Sequence, residues 1–212
     1  REKIGPFHQS GRRWAQRPIK VLDHDFPSDA KGVAIPYGIY DLCRNEGFIC
    51  VGTTCDTSEF AVDSIGTWWS RAGSNHYPNA ERLLILADCG GSNGYRNRLW
   101  KHRLYVGLCN RFGLQVKVCH YPPGSSKWNP IEHRMFSFIS RNWAAQPLQD
   151  YETVLKFIRT TKTSTGLKIR ALLKTKQYQS GKKVHKHQMD QIVLKNYTSR
   201  PNWNYSISPS KM

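Results

Sequence analysis

The stretch that decides the fold reads QVKVCHYPPGSSKWNPIEHRMF and spans residues 115–136. Its first six residues form a short apolar run that predicts a strand, and a Pro-Pro-Gly turn follows. Asn129 and Pro130 are typical of the N-cap and N1 positions of a helix. The helix then carries apolar side chains at spacings of four, seven and eight residues, which predicts one buried face: Ile131, Met135, Phe138 and Ile139.

Glu132 lies in the first turn of this helix, and two interpretations of it stay open. With Asn129 it has the N-cap to N3 spacing of a capping box, where its negative charge suits the helix N-terminus. Alternatively, Glu132 is a metal-binding carboxylate that a rigid element holds beside a cleft.

A second carboxylate favours the metal interpretation. Asp88 ends the apolar run LLILAD at residues 83–88, which predicts a buried, central strand, and the loop CGGSNG follows at once. An acid at the carboxyl end of such a strand points into the crevice where open α/β sheets bind ligands. The alternative is an Asp that caps the next turn.

These motifs resemble those of a known family. The Asp88 strand followed by PPGSSKWNPIEH is similar to the second and third acids of DDE transposases, and the Pro-rich turn before NPIE is similar to the Tc/mariner-like branch. A wider set of motifs covers nearly the whole chain and resembles the ISAzo-type bacterial insertion-sequence transposases: VLDHDFPSDAKGVAIPYGIYDL, ILADCGGSNG, CHYPPGSSKWNPIEHRMFSFISRNW and WNYSISP.

The resemblance implies metal-dependent DNA cleavage and strand transfer, with Asp88 and Glu132 as catalytic acids and metal ligands. It implies two Mg²⁺ ions, with Mn²⁺ as the alternative, and hard cations of this kind take carboxylate and phosphate oxygens. The family places its first catalytic Asp a few residues before a stretch resembling REKIGPF. That position would lie upstream of Arg1, so we expect an N-terminally truncated chain with weak or absent activity on its own.

Two further functions stay open beside the transposase. A truncated remnant would bind DNA, or dimerise with an intact copy, without chemistry. A ribonuclease-H-like nuclease would share the fold but not the NPIE loop, and it would prefer RNA–DNA hybrids. Assaying strand transfer after restoring the upstream Asp would separate the first of these from an enzyme.

Composition indicates a polyanionic partner. The chain of 212 residues has a net charge of +17, and residues 141–212 carry 14 basic against three acidic side chains. Basic surface interleaved with aromatic side chains is typical of nucleic-acid binding, although it can also serve solubility alone. We expect DNA as partner (insertion-sequence ends and target), a homo-oligomer on that DNA, no membrane association, and a cytoplasmic, nucleoid-associated location.

Candidate DNA-binding side chains combine basic and stacking groups in loops and at the Glu132 helix: Arg12, Arg13, Trp14, Lys127, Trp128 and Arg134. A second group is expected to lie near the active site: Asp23, His24, Asp25 and Asn129. For the two acids in that group, local hydrogen bonding within an Asp/Pro-rich turn is the alternative.

The order of elements predicts a ribonuclease-H-like mixed α/β sheet flanked by helices, over residues 1–147 with a truncated first strand, and a basic C-terminal extension over 148–212. Asp56 and Glu59 have the spacing of a capping box, which predicts a helix on which Asp56, Glu59 and Asp63 are cap and solvent-face residues. The remaining patterns predict hairpin strands at 37–42 and 48–53, helices at 95–112, 150–160 and 188–195, and strands at 168–173 and 203–207.

Overall fold

The computed structural model describes residues 1–23 and 27–210. These residues form eight strands and six α-helices. The strands are β1 (Glu2–Ile4), β2 (Gly32–Asp41), β3 (Glu46–Gly52), β4 (Arg82–Ala87), β5 (Gln115–His120), β6 (Lys168–Lys174), β7 (Val193–Asn196) and β8 (Asn204–Ser208). The α-helices are α1 (Ser58–Trp68), α2 (Ser74–His76), α3 (Arg98–Leu104), α4 (Ser137–Asn142), α5 (Tyr151–Arg159) and α6 (Lys186–Asp190).

Over the same described residues, three π-helical turns and three 3-10 turns complete these elements. The π-helical turns continue α1, continue α3 and precede α4: Trp69–Gly73, Tyr105–Asn110 and Glu132–Phe136. The 3-10 turns are Pro27–Asp29, Gly91–Asn93 and Ser126–Trp128. None of the helices in the described part of the chain is long and apolar enough to cross a membrane.

Contacts divide the chain into two compact units, and the first comprises residues 1–55 and 130–177. Its sheet has the order β1-β2-β3-β6, in which β1, β2 and β3 are antiparallel and β6 runs parallel to β3. The predicted hairpin and the predicted strand at 168–173 are therefore confirmed. β2 is longer than predicted, because it begins at Gly32, where β1 offers a pairing edge.

The core of the first unit lies between this sheet and the helices of the same unit. Buried apolar side chains of β3, α4 and α5 form one cluster, which includes Ile49, Val51, Ile139, Leu155 and Ile158. The helix predicted at 150–160 is α5. Its N-cap is Asp150, whose Oδ1 accepts a hydrogen bond from the Thr153 amide at 2.7 Å.

The second unit comprises residues 56–129 and 178–212. Its sheet has the order β4-β5-β8-β7, with β4 parallel to β5 and the two C-terminal strands antiparallel. Side chains of α1, α3 and the sheet form its core, with Phe60, Trp100, Val118 and Tyr205 fully buried. The prediction of a helix at 188–195 is wrong beyond α6, because residues from Val193 pair with β8.

Two predictions about the second unit need correction. The strand before Asp88 is not central: within the described residues β4 pairs only with β5, and Leu84 and Leu86 are 56% and 39% exposed. An apolar run by itself does not distinguish a central strand from an edge strand. The N-cap of α1 is Thr57 and not Asp56, since Thr57 Oγ1 accepts from the Phe60 amide at 3.2 Å.

Glu59 does not lie on a solvent face either. Its Oε2 lies 2.7 Å from Lys182 Nζ, and Asp63 Oδ1 lies 3.3 Å from an Arg103 nitrogen. Asp63 also accepts a hydrogen bond from the Tyr178 hydroxyl at 3.1 Å. These partners are distant in sequence, so the charge pattern of α1 could not reveal them.

Together the two mixed sheets and their flanking helices confirm the predicted α/β class and are consistent with a ribonuclease-H-like fold. The basic C-terminal residues are integral to both units, because β6 belongs to the first sheet and β7 and β8 belong to the second. The boundary predicted at residue 147 stays a prediction.

Candidate active site

Asp88 follows β4 directly, at the edge where the parallel strands β4 and β5 have their carboxyl ends. Its side chain is exposed, and Asn93 Nδ2 donates a hydrogen bond to Asp88 Oδ1 at 3.2 Å. Asn93 reaches this position because the chain turns back through Gly91, whose φ of 54° favours glycine, into the 3-10 turn Gly91–Asn93. The loop therefore holds one carboxylate at the end of a rigid strand.

Three buried rings, connected by hydrogen bonds, support the backbone of Asp88 from the interior of the unit. His120 Nδ1 lies 2.8 Å from the Asp88 carbonyl oxygen, and His120 Nε2 lies 3.1 Å from the Tyr205 hydroxyl. Trp100 Nε1 donates to the same hydroxyl at 2.9 Å. His120 is 6% exposed, while Trp100 and Tyr205 are fully buried. His120 is therefore a buried histidine whose two ring nitrogens are both hydrogen-bonded.

The chemistry of these groups determines which one donates in each of the hydrogen bonds between the three rings. A carbonyl oxygen only accepts, so His120 Nδ1 carries the proton, and indole Nε1 only donates, so the Tyr205 oxygen accepts from Trp100. Burial lowers the pKa of His120, which favours the neutral ring, and burial raises the pKa of Tyr205, which keeps its proton. The Tyr205 hydroxyl then donates to His120 Nε2.

Two more bonds tie the ends of β4 and β5 together beside Asp88. The Tyr121 amide donates to the Ala87 carbonyl at 2.8 Å, and the Cys89 thiol donates to the Tyr121 carbonyl at 2.8 Å. The residues on both sides of Asp88 are thus bonded to Tyr121, the residue that follows β5. Burial, followed by the charge of Asp88, raises the pKa of Cys89, so this thiol stays protonated and keeps its donor.

Glu132 belongs to the first unit, where it is the first residue of the π-helical turn Glu132–Phe136. Its side chain is exposed, and the same turn is anchored by Met135, which is fully buried in the core of that unit. Gly38 allows this packing, since a Cβ at its position would lie 2.6 Å from the Phe136 ring. A single widened turn of this kind is frequent at functional sites, and the sequence pattern predicted a regular α-helix instead.

The candidate DNA-binding residues of the first unit are exposed: Arg12, Arg13, Trp14 and Arg134. In the second unit, Lys127 and Trp128 lie in the 3-10 turn Ser126–Trp128. Lys127 Nζ is 5.2 Å from the centre of the Trp128 ring, which is 69% exposed. A cation over an exposed indole is a feature that nucleic acids can use, because one group attracts phosphate and the other stacks on bases.

Of the four residues expected near the active site, the structure describes two. Asp23 is exposed and Asn129 is half-buried, whereas His24 and Asp25 lie outside the described residues. Over the described ranges, no three or more His, Cys, Asp or Glu side chains form a group that could hold a metal ion. Asp88 and Glu132 themselves are exposed carboxylates, which are the hard oxygen donors that Mg²⁺ and Mn²⁺ take.

A family model described as the Rhodopirellula transposase DDE domain matches residues 1–209. The chain belongs to this transposase family. Membership confirms the resemblance of its motifs to ISAzo-type transposases, and it implies an enzyme of the transposase type that acts on DNA. DDE transposases generally use divalent metal ions. No curated protein and no solved structure matches the chain.

Trp100 and Tyr205 support the site of this transposase, yet no sequence pattern indicates that role for either of them. Tyr205 lies within the motif WNYSISP, so the resemblance marked the segment without indicating its role. The bond between Trp100 and Tyr205 joins residues 105 positions apart, and no local pattern predicts a contact at that separation.

Proposed function

We propose that this DDE domain cleaves DNA and transfers strands at the ends of an insertion sequence, with Asp88 and Glu132 as its second and third catalytic acids. One observation carries the proposal: an exposed carboxylate lies at the edge where two parallel strands end, and the carbonyl of its own residue is bonded to a buried histidine. A catalytic group needs such support, because its position must hold to within about 0.5 Å.

Divalent cations supply the chemistry that acids alone lack, since they activate the attacking oxygen and stabilise charge on the leaving oxygen. We propose Mg²⁺ as the physiological ion and Mn²⁺ as the alternative, held by Asp88 and Glu132. Asn93 limits rotation of the Asp88 carboxylate through its bond to Oδ1. His120 holds the backbone beneath it, and the neutral ring adds no positive charge beside a cation site.

DNA is the proposed partner, both as insertion-sequence ends and as target. The proposed contacts combine phosphate-binding and stacking side chains: Arg12, Arg13, Trp14, Lys127, Trp128 and Arg134. Asp23, His24, Asp25 and Asn129 are proposed to lie near the catalytic acids. We further propose a homo-oligomer on DNA, a nucleoid location in the cytoplasm that follows from DNA binding, and residues 148–212 as a basic extension of the catalytic core of residues 1–147.

Metal binding tests the proposed ligands without depending on turnover. Titration with Mn²⁺, followed by the electron paramagnetic resonance signal of the free ion, should show binding that Asp88→Asn and Glu132→Gln each weaken at least about tenfold. Asp190→Asn, an exposed acid of α6, is the matched control and should leave the affinity unchanged. Equal Mn²⁺ affinity in the wild type and both site variants would overturn the ligand assignment.

Chemistry is tested in the protein translated from the complete reading frame, with labelled insertion-sequence ends and a supercoiled target. We expect strand transfer in Mg²⁺ or Mn²⁺ that Asp88→Asn abolishes while DNA affinity is retained. Strand transfer that survives Asp88→Asn refutes the assignment. DNA binding without cleavage favours the non-catalytic alternative, and cleavage confined to RNA–DNA hybrids favours the nuclease.

A further inference from the structure

The segment between β1 and β2 forms a loop whose two ends are fastened together. Phe7 and Leu22 form a parallel bridge, in which the His8 amide donates to the Leu22 carbonyl at 2.9 Å and the Leu22 amide donates to the Pro6 carbonyl at 2.7 Å. The N-terminal part of the loop is also anchored, since the Ala145 amide donates to the Ser10 carbonyl at 3.1 Å. Backbone hydrogen bonds thus hold both ends of the segment between residues 8 and 22 in place.

Large apolar side chains of this loop are exposed to solvent, where they gain no stability from burial. Trp14 is 101% exposed, and Ile19 and Val21 are 50% and 40% exposed. Four other tryptophans are 8% exposed or less: Trp68, Trp69, Trp100 and Trp143. Exposed apolar surface of this kind marks interaction sites.

The exposed groups line a cavity within the first unit. Its volume is about 390 Å³, and its lining includes Trp14, Arg13, Arg17, Ile19 and Gln146. That volume falls in the range of small-ligand pockets, about 300–1,000 Å³, and is sufficient for one nucleotide. The lining offers a flat ring for stacking, an amide for the edge of a base, and guanidinium groups for a phosphate.

The charge around the cavity specifies an anion. Residues 8–22 contain four basic side chains and no acidic one: Arg12, Arg13, Arg17 and Lys20, all exposed. Basic groups alone would fit the backbone of a duplex. An indole face adds nothing there, because the faces of paired bases are already stacked on one another, whereas an unpaired base can stack on it.

We propose that the cavity at Trp14 binds one unpaired nucleotide of a DNA strand, with its base on the Trp14 ring and its phosphate at Arg13 and Arg17. The inference rests on the proposed function, since it specifies which feature of the DNA this part of the transposase recognises. It predicts a preference for ends that carry unpaired bases, because flipping a base out of a duplex costs a few kcal/mol.

The test compares three labelled DNAs by fluorescence anisotropy: a blunt duplex, the same duplex with a single-stranded overhang, and that overhang with abasic sites in place of its bases. The abasic overhang keeps the phosphates and removes only the stacking partners. Wild-type protein should bind the normal overhang about 5- to 100-fold more tightly than the abasic one, which corresponds to about 1–3 kcal/mol for base stacking.

Trp14→Ala should remove this preference, whereas Trp14→Phe should keep most of it. Val106→Ala, which shortens an exposed apolar side chain elsewhere, is the matched control and should behave as the wild type. Equal binding of normal and abasic overhangs by the wild type, or an unchanged preference in Trp14→Ala, would overturn the inference and leave DNA binding intact. If none of the three DNAs binds, the proposed function fails as well.

Discussion

Replacement of Tyr205 by Phe removes one oxygen from the interior and leaves the ring in place. That oxygen links two groups, because it accepts from Trp100 Nε1 at 2.9 Å and lies 3.1 Å from His120 Nε2. The side chains of Trp100 and Tyr205 are fully buried and His120 is 6% exposed, so water has little access to the groups that lose their partner. The substitution therefore tests the ring chain that supports Asp88.

The expected cost follows from the two groups that the substitution leaves unsatisfied. A buried donor or acceptor without a partner costs about 1–3 kcal/mol, and Tyr205→Phe leaves one of each. We expect the free energy of unfolding to fall by about 2–4 kcal/mol, since part of the loss is recovered when the Tyr205 hydroxyl no longer needs to be desolvated. With a urea m-value of about 3 kcal/mol/M, the unfolding midpoint should fall by about 1 M.

Urea unfolding followed by far-ultraviolet circular dichroism measures this shift. Tyr197→Phe is the matched control, because it removes the same atom from a half-buried tyrosine whose ring contact with Lys117 is retained. It should change stability by less than about 0.5 kcal/mol. The double variant with Trp100→Phe should lose less than the sum of the single variants, because the shared bond can be broken only once.

A small effect would refute the reasoning. If Tyr205→Phe lowers the midpoint no more than Tyr197→Phe does, the hydroxyl does not bridge the two rings. If the double variant is additive to within about 0.3 kcal/mol, Trp100 and Tyr205 do not interact directly.

Three further predictions concern two glycines and the N-cap of α5. In urea unfolding, Gly38→Ala should lower the free energy of unfolding by about 1–3 kcal/mol, because its Cβ would lie 2.6 Å from the Phe136 ring. Gly66→Ala in α1 should instead raise the free energy of unfolding by about 0.5–1 kcal/mol, since a Cβ there meets nothing closer than 3.6 Å. The amide of Thr153 lowers the pKa of Asp150, so this cap stabilises α5 above the ordinary pKa of 3.8 and is lost as the pH falls below it. The protection factors of the α5 amides, which compare their exchange with that of an unstructured chain at the same pH, should therefore fall in acid for the wild type. An equal fall in Asp150→Asn would refute the cap as its cause.

Elements that depend on neighbours a few residues away were predictable from the sequence. The hairpin of β2 and β3, the strand β5 and the helix α5 all follow from apolar spacing and turn or capping residues that lie within about ten positions. The motifs around Asp88 and Glu132 were sufficient to indicate the transposase family, which the family match confirms. The roles of these two acids stay a prediction.

Features that depend on which distant segments meet were decided only by the tertiary structure. The sequence could not show that β4 is an edge strand, because an apolar run contains no information on how many strands will pair with it. The same reason hid the partners of Glu59 and the bond between Tyr205 and His120, which are 85 positions apart. Burial and hydrogen bonding at such separations arise from the register of paired strands, and that register exists only once the chain has folded.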